Sequence, residues 1–404
     1  MLQHRIDHSH MPQAHSRLPQ ASIAFVEAYA TALQQAGTPA HRLEAAVDHA
    51  ASALGVDAAC SATPTGLFLA MPEGTRLLRV GAGGGDLGFL VALDGIGTEV
   101  GAGTLDAASA LDAVRALEGQ APRYSPALEL LAHGVLAAGA AALFGGGPLE
   151  AAVAAALGIV GAQLVERFGR LGPMASAALA TSVATAVGAS TSLDIPTVSV
   201  AAIIILLPGF SLTTGIGELA TGHLTAGTSR LAGALVDFLM QGLGAMLGLR
   251  LAAGLGLVPL AAPLPFDWPE PVVVLTASLA LVILLRARPR DAGLVVAASF
   301  LGWGAATLLS PMLGPQTGAA AGAFAVALAG NAVGRWLRLP ATLLVAPSLL
   351  LLVPGSLGFR GVGALLDTNT LVGMQAAVEM FVVAGGLVGG LLLANLVLSP
   401  QRDL

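Results

Sequence analysis

The chain has no lysine: all 18 basic residues among its 404 are arginines. A Walker phosphate loop needs a lysine to reach the β- and γ-phosphates, so ATP-driven work through such a loop is excluded. Schiff-base catalysis falls on the same ground. Cys60 is the single cysteine, which leaves no disulfide within the chain and no cysteine-built zinc site. Charged residues make up 10%, where a soluble protein carries roughly 25%. The net charge of −6 comes with no basic patch to attract nucleic acid. What fills the chain is apolar: 55% hydrophobic residues and a mean hydropathy of +0.80. Apolar runs of about 20 residues, long enough to cross a bilayer, recur from Ser125 onward. The first twenty residues have no apolar core and do not read as a signal peptide. Their histidines His4, His8, His10 and His15 are open to a metal, but we read residues 1–20 as a disordered, solvated tail. Nothing points to a cofactor.

Charge density changes near residue 124: 19 Asp, Glu and Arg residues fall in the first 124 positions and 23 in the remaining 280. We expect residues 21–124 to form a small soluble α+β domain. "SIAFVEAYATALQQAG" (22–37) and "PAHRLEAAVDHAASALG" (39–55) have helical periodicity and end on glycine. "DAACSATPTGLFLAM" and "TRLLRVG" read as strands around a "PEG" turn, and two further helices follow. Residues 125–258 and 259–404 then read as two membrane halves of about five spans each. With the N-terminal domain in the cytoplasm, the inward loops collect Arg167, Arg170, Arg230, Arg286, Arg288, Arg290, Arg335 and Arg338, and the C-terminus adds Arg402. The outward side keeps Arg360, with Arg250 near the outer end of its span. The bias predicts ten spans with both termini inside.

Two apolar runs break at the same dipeptide. "IPTVSVAAIIILLPG" (195–209) parallels "LPATLLVAPSLLLLVPG" (339–355), each opening on an apolar residue plus proline and closing on Pro-Gly. An acid follows each, Glu218 and Asp367. Next comes a long helix in which an acid precedes two glycines: Asp237 before Gly244 and Gly248, Glu379 before Gly386 and Gly390, at identical spacings. Small residues at that spacing let membrane helices approach closely. The units lie five spans apart, which predicts two inverted five-helix repeats, an arrangement of secondary transporters whose sites lie on discontinuous helices. Pro208–Gly209 and Pro354–Gly355 are therefore the expected break points, with Ser356 beside the second. A break at membrane depth is tolerated only against protein or a water-filled cavity.

Acids in a membrane are costly and functional by default. Asp237 and Glu379 are the expected carriers of a coupling proton, held on the bundle interior. Glu129, Glu150 and Glu166 read as interfacial. The polar segment 175–194 places Thr181, Thr185 and Ser192 on one helical face and ends at Asp194. These hydroxyls suit a solute path, and they are also ordinary packing residues in membrane helices. Ser211, Thr213, Thr214 and Glu218 follow the first break.

These residues bring a family into view. The chain resembles the threonine/serine exporter family of bacterial inner-membrane proteins, through "SATPTGLFLAM", "TRLLRV" and "GDLGFLVAL" in the first zone, "LLPGFSLTTGIGELATGHLTAGTSRLAGAL" (206–235) in the first membrane half and "LLVPGSLGFRGVGALL" (351–366) in the second. Some relatives split the halves into two polypeptides; here they are fused. The resemblance implies proton-motive-force-driven export of threonine and serine from the cytoplasm, with membrane lipid, protons and a small solute as partners and homo-oligomerisation left open. Split relatives resemble dicarboxylate exporters, so succinate is the alternative cargo. A passive channel, a sensor or a membrane-bound hydrolase are weaker alternatives; no nucleophile-elbow glycines surround Ser61.

Overall fold

The computed structural model describes residues 20–81, 83–352, 355–366 and 370–400. Pro354, Asp367, Arg402 and the four N-terminal histidines lie outside them. The chain opens with helices α1 (Gln20–Gln35) and α2 (Ala40–Ala53), three strands β1 (Ala59–Thr63), β2 (Gly66–Met71) and β3 (Gly74–Arg79), then α3 (Leu87–Gly101) and α4 (Ala107–Glu118). The sheet is an antiparallel meander in the order β1-β2-β3. The stretch read as one strand before "PEG" is in fact a hairpin, folding back at Pro64–Thr65 between β1 and β2. Asp86 caps α3 by accepting from Phe89 N (2.8 Å), and Asp106 caps α4, each side chain taking an N–H that the first turn leaves free.

The first membrane half follows as α5 (Pro126–Leu143), α6 (Pro148–Phe168), α7 (Gly172–Gly188), α8 (Ile195–Ala202), α9 (Gly209–Ala220) and α10 (Leu224–Gly254). The second repeats the order as α11 (Glu270–Leu284), α12 (Ala292–Leu313), α13 (Pro315–Leu337), α14 (Thr342–Leu352), α15 (Gly355–Leu366) and α16 (Thr370–Val397). Seven helical stretches are long and apolar enough to cross a membrane, or up to eight when α8 and α9, bent by 57° at their break, count as one. Residues Pro148–Gly188 count there as one 41-residue stretch, although a tight turn at Gly169–Leu171 divides it. The 15-residue α11 is apolar but shorter than these. Leu239, Leu243 and Leu247 on α10, and Val378, Phe381 and Val382 on α16, are exposed, as a lipid-facing surface requires. The chain is a multi-pass helical membrane protein.

The N-terminal unit is not a separate body. One buried core runs from Phe25, Leu33 and Leu43 through Leu87 and Leu93 into Val326 of α13 and Leu343 of α14. Backbone and side-chain bonds fasten the same seam. Leu87 N donates to Leu285 O (2.8 Å), and the Tyr124 hydroxyl to Ala287 O (2.8 Å).

The two halves pack by matching rules. α10 lies along α7, and α16 along α13. A Cβ added at Gly244 or Gly248 would run into the carbonyl oxygens of Met174 and Ala178. A Cβ at Gly386 or Gly390 would meet those of Gln316 and Ala320. One sequence offset carries the first four residues onto the second four. These glycines let the backbones touch, as the spacing predicts. Gly248→Leu or Gly390→Leu should therefore wedge a packed pair apart and cost about 1–3 kcal/mol or more, read as a lower melting temperature in detergent. Gly233→Leu, where an added Cβ meets nothing within 4 Å, should leave it unchanged or higher.

Candidate solute site at the helix breaks

Proline explains how the first break begins. Pro208 has no N–H to continue the helix, and the backbone tightens into a short 3-10 turn at Ile204–Leu206 before extending at Leu207 (φ −67°, ψ 129°). Pro208 then caps α9. The carbonyl of Leu206 is taken up locally: Gln241 Nε2 donates to it across from α10 (2.8 Å). Within α9 the Thr213 Oγ1 back-bonds to Gly209 O (3.1 Å). Gln241 is fully buried, and its Oε1 has no partner.

The second break comes up against the first. A Cβ placed on Gly355 would lie 3.1 Å from Leu207 Cβ and 3.7 Å from Gly209 Cα. Behind this contact, a cavity of about 160 Å3 touches Ile204 and Ile205 of one half and Leu350, Leu351 and Ser356 of the other. On the side of the N-terminal unit lies the largest described cavity, about 400 Å3, within the roughly 300–1,000 Å3 of small-molecule sites. Its wall joins Pro208, Ser211 and Asp237 to Thr38, Pro39, Gly84 and Gly85. A smaller space of about 110 Å3 adjoins it across Pro39, Phe210 and Ala346 and is lined by Thr213, Thr214, His41, Arg42, Asn331 and Asn395.

The structure thus brings Pro208, Gly209, Ser211, Thr213, Thr214, Asp237, Gly355 and Ser356 to the breaks or their cavities. The other expected residues lie elsewhere. Asp237 is exposed, not sealed in the bundle. Glu379 is half-buried within α16, with Gln316 Nε2 at 3.4 Å from its Oε1, and its neighbour Met380 packs with Phe238 against Gly358. Thr185 Oγ1 donates to Thr181 O (2.7 Å), the Thr181 hydroxyl is buried without a partner, and neither residue lines these cavities. Asp194 caps α8, taking Thr197 N at 3.4 Å and Thr197 Oγ1 at 2.6 Å. Glu150, in the first turn of α6, is 2% exposed and accepts from Gly147 N and Asp194 N, which makes it a buried anchor for the loops at that end. Glu129 pairs with Arg286 at 2.7 Å.

Glu218 is fully buried. Arg230 donates to both its oxygens, at 3.0 and 2.9 Å, and Ala40 N donates at 3.0 Å from the first turn of α2. The N-terminal unit is fastened to the end of α9 through that carboxylate. Around it, His223 Nε2 lies 3.1 Å from Glu44 Oε2, and the His41 and His223 rings stand 5.9 Å apart. Composition hides Thr38, His41 and Gln241, because their signal is a missing or distant partner. Only Gln241 leaves a trace, one helical turn beyond Asp237. Burial, with Glu44 and Asp48 nearby, pushes the Cys60 thiol up to about 12, which makes it a poor nucleophile. Among the described residues no cluster suits a metal ion.

Burial pushes His41 down to about 4 from its ordinary 6.5, assisted by Arg42, His223 and Arg230 and opposed by Glu218. Above 6.5 the imidazole is neutral folded or unfolded, so this group adds no slope. As pH falls from 6.5 towards 4, only the unfolded chain binds the proton, and stability drops by on the order of 3 kcal/mol. The melting temperature in detergent should fall across that window, and His41→Gln should flatten that part of the profile.

Two family models cover most of the chain. ThrE, a threonine/serine exporter model, matches residues 24–252, and "Threonine/Serine exporter, ThrE" matches residues 270–397. Neither the curated proteins nor the solved structures yield a match.

Proposed function

The chain belongs to the threonine/serine exporter family, a family of membrane transporters with both halves fused here, and from that premise we propose that it is a proton-coupled secondary transporter exporting threonine and serine across the bacterial inner membrane. The observation that carries this is the meeting of the two breaks, Gly355 against Leu207 and Gly209, beside a cavity that holds Asp237.

The halves act as inverted repeats of five crossings. Dividing Pro148–Gly188 at its turn, pairing α8 with α9 and α14 with α15, and admitting α11 gives ten. Contacts at the ends support alternation. The N-terminal unit meets Leu285, Ala287, Glu218 and Thr342 at one end. At the other, Trp268 Nε1 donates to Gly146 O (2.7 Å), and Leu260 N to Gly188 O (2.8 Å). Asp237 lies in the first half of α10 and its counterpart Glu379 in the first half of α16, equivalent positions that support the inverted-repeat reading. Arg286 and Arg288 line a cavity with residues of the N-terminal unit, and Arg290 follows in the same loop, a concentration of positive charge that supports a cytoplasmic position for that end.

The chemistry follows from the geometry. The first turn of α9 has three N–H groups without a helical acceptor and the positive end of its dipole. Pro208, Phe210 and Ser211 of that turn line the cavity, so an amino acid's carboxylate is received there. Asp237 pairs with the ammonium or carries the coupling proton, and Glu379 is its equivalent on the far side. A dicarboxylate has no ammonium for Asp237 and would be repelled by it, which favours the amino acid over succinate.

Proteoliposomes preloaded with threonine should take up labelled threonine faster than empty ones. A channel gives no such trans-stimulation, and its absence would overturn the carrier reading. Asp237→Asn and Glu379→Gln should abolish flux driven by a proton gradient; normal flux in both would remove their role. Pro208→Ala should insert normally and transport poorly.

A further inference from the structure

We infer that the N-terminal unit is part of the solute site, with Thr38 as a substrate-contacting residue that selects for hydroxylated cargo. This rests on the exporter reading and names a residue it does not require. Thr38 lies in the wall of the 400 Å3 cavity with Pro208, Ser211 and Asp237. It is 6% exposed, and its hydroxyl oxygen is buried with no hydrogen-bond partner. A buried hydroxyl without a partner is destabilising, and proteins keep such groups where a ligand or a second state supplies what is missing. Nearby Thr213 also borders this region, but its hydroxyl is already given to Gly209 O.

The backbone holds Thr38 rigidly. α1 ends with Gly37 N bonded to Gln34 O (3.0 Å) and Thr38 N to Leu33 O (3.2 Å), the reciprocal pair that closes a helix on a left-handed residue. Gly37 supplies that conformation at φ +79°. Pro39 then starts α2, and two residues past Thr38 the Ala40 N–H is fixed to Glu218. The backbone at Thr38 is thus held between a helix end and a docked helix start, and rotation about its Cα–Cβ bond is the movement that would turn the hydroxyl from its buried position to the cavity. A hydroxyl both donates and accepts, so it matches the side-chain hydroxyl of threonine or serine, while α9 receives the carboxylate and Asp237 the ammonium.

The test compares efflux of threonine, serine and alanine by the full-length protein in proteoliposomes. Thr38→Val keeps the shape and removes the hydroxyl. One lost neutral hydrogen bond predicts a fall of about three- to tenfold in kcat/KM for threonine and serine, with alanine unchanged, so the threonine-to-alanine ratio falls by the same factor. Thr38→Ser should restore the ratio. Should Thr38→Val melt early, Thr38→Ala removes the same hydroxyl without bulk and gives the same readout. An unchanged ratio, whether all three solutes slow alike or none does, overturns the inference. If the wild type itself carries no threonine, the exporter reading fails and this inference fails with it, an outcome distinct from normal wild-type transport with an indifferent Thr38 variant.

Discussion

In water a helix can stop anywhere, because solvent takes the backbone groups it frees. Inside hydrocarbon each such group must find a partner within the protein or in a cavity. The arrangement around Leu206–Gly209 follows from that constraint. Gln241 reaches over from α10 to hold Leu206 O. The other half then closes on the gap with glycine, since any larger residue at position 355 would press on Leu207. What protein does not fill stays open as cavity. The break therefore accounts for the reach of Gln241 from α10, for the glycine that faces it and for a hollow that holds Ser211 and Asp237 in an otherwise apolar bundle.

The same helix that begins at the break ends at Glu218. A fully buried carboxylate is stable only while its partners remain, and removing one typically costs 3–5 kcal/mol. Here the partners come from three elements: α9 carries the acid, α10 supplies Arg230, and α2 supplies an N–H. A shift of α9 relative to α10 must therefore either carry α2 along or unpair a buried charge. The N-terminal unit is joined to α9 by this contact, and Thr38, two residues before Ala40, shares a cavity wall with Pro208 and Ser211 at the start of the same helix.

The sequence reveals features that repeat or alternate along it. The glycine faces, the Pro-Gly break at 208–209, the long apolar helices and the helix stops at Gly37 and Gly55 all follow from spacing, and α1 to α4 lie close to where periodicity puts them. Roles that depend on a partner far along the chain do not. Glu218 and Asp194 read as solute ligands because acids near a break attract that reading, yet one docks a helix 178 residues away and the other caps its own. Asp237 reads as buried because its neighbours are apolar, but it opens on a cavity made partly by residues 37–39 and 84–90. Gln241 and Thr38 are ordinary polar residues until the missing partner of each is visible.

Matched packing does not make the halves chemically equal. The offset that maps Gly244 and Gly248 onto Gly386 and Gly390 maps Gln241 onto Val383, buried at 6% exposure. The second half therefore has no amide in the place where the first holds its broken carbonyl. The acids differ likewise: Asp237 faces a cavity roofed by the N-terminal unit, and Glu379 sits beside Gln316. After each Pro-Gly the first half continues Phe210-Ser211 and the second Ser356-Leu357. In a carrier built on two exchangeable halves, equal chemistry would make the inward- and outward-facing states nearly degenerate. Here the polar anchors are concentrated in the first half, beside the N-terminal unit, so in the carrier proposed above the two halves do not offer a solute equivalent surroundings.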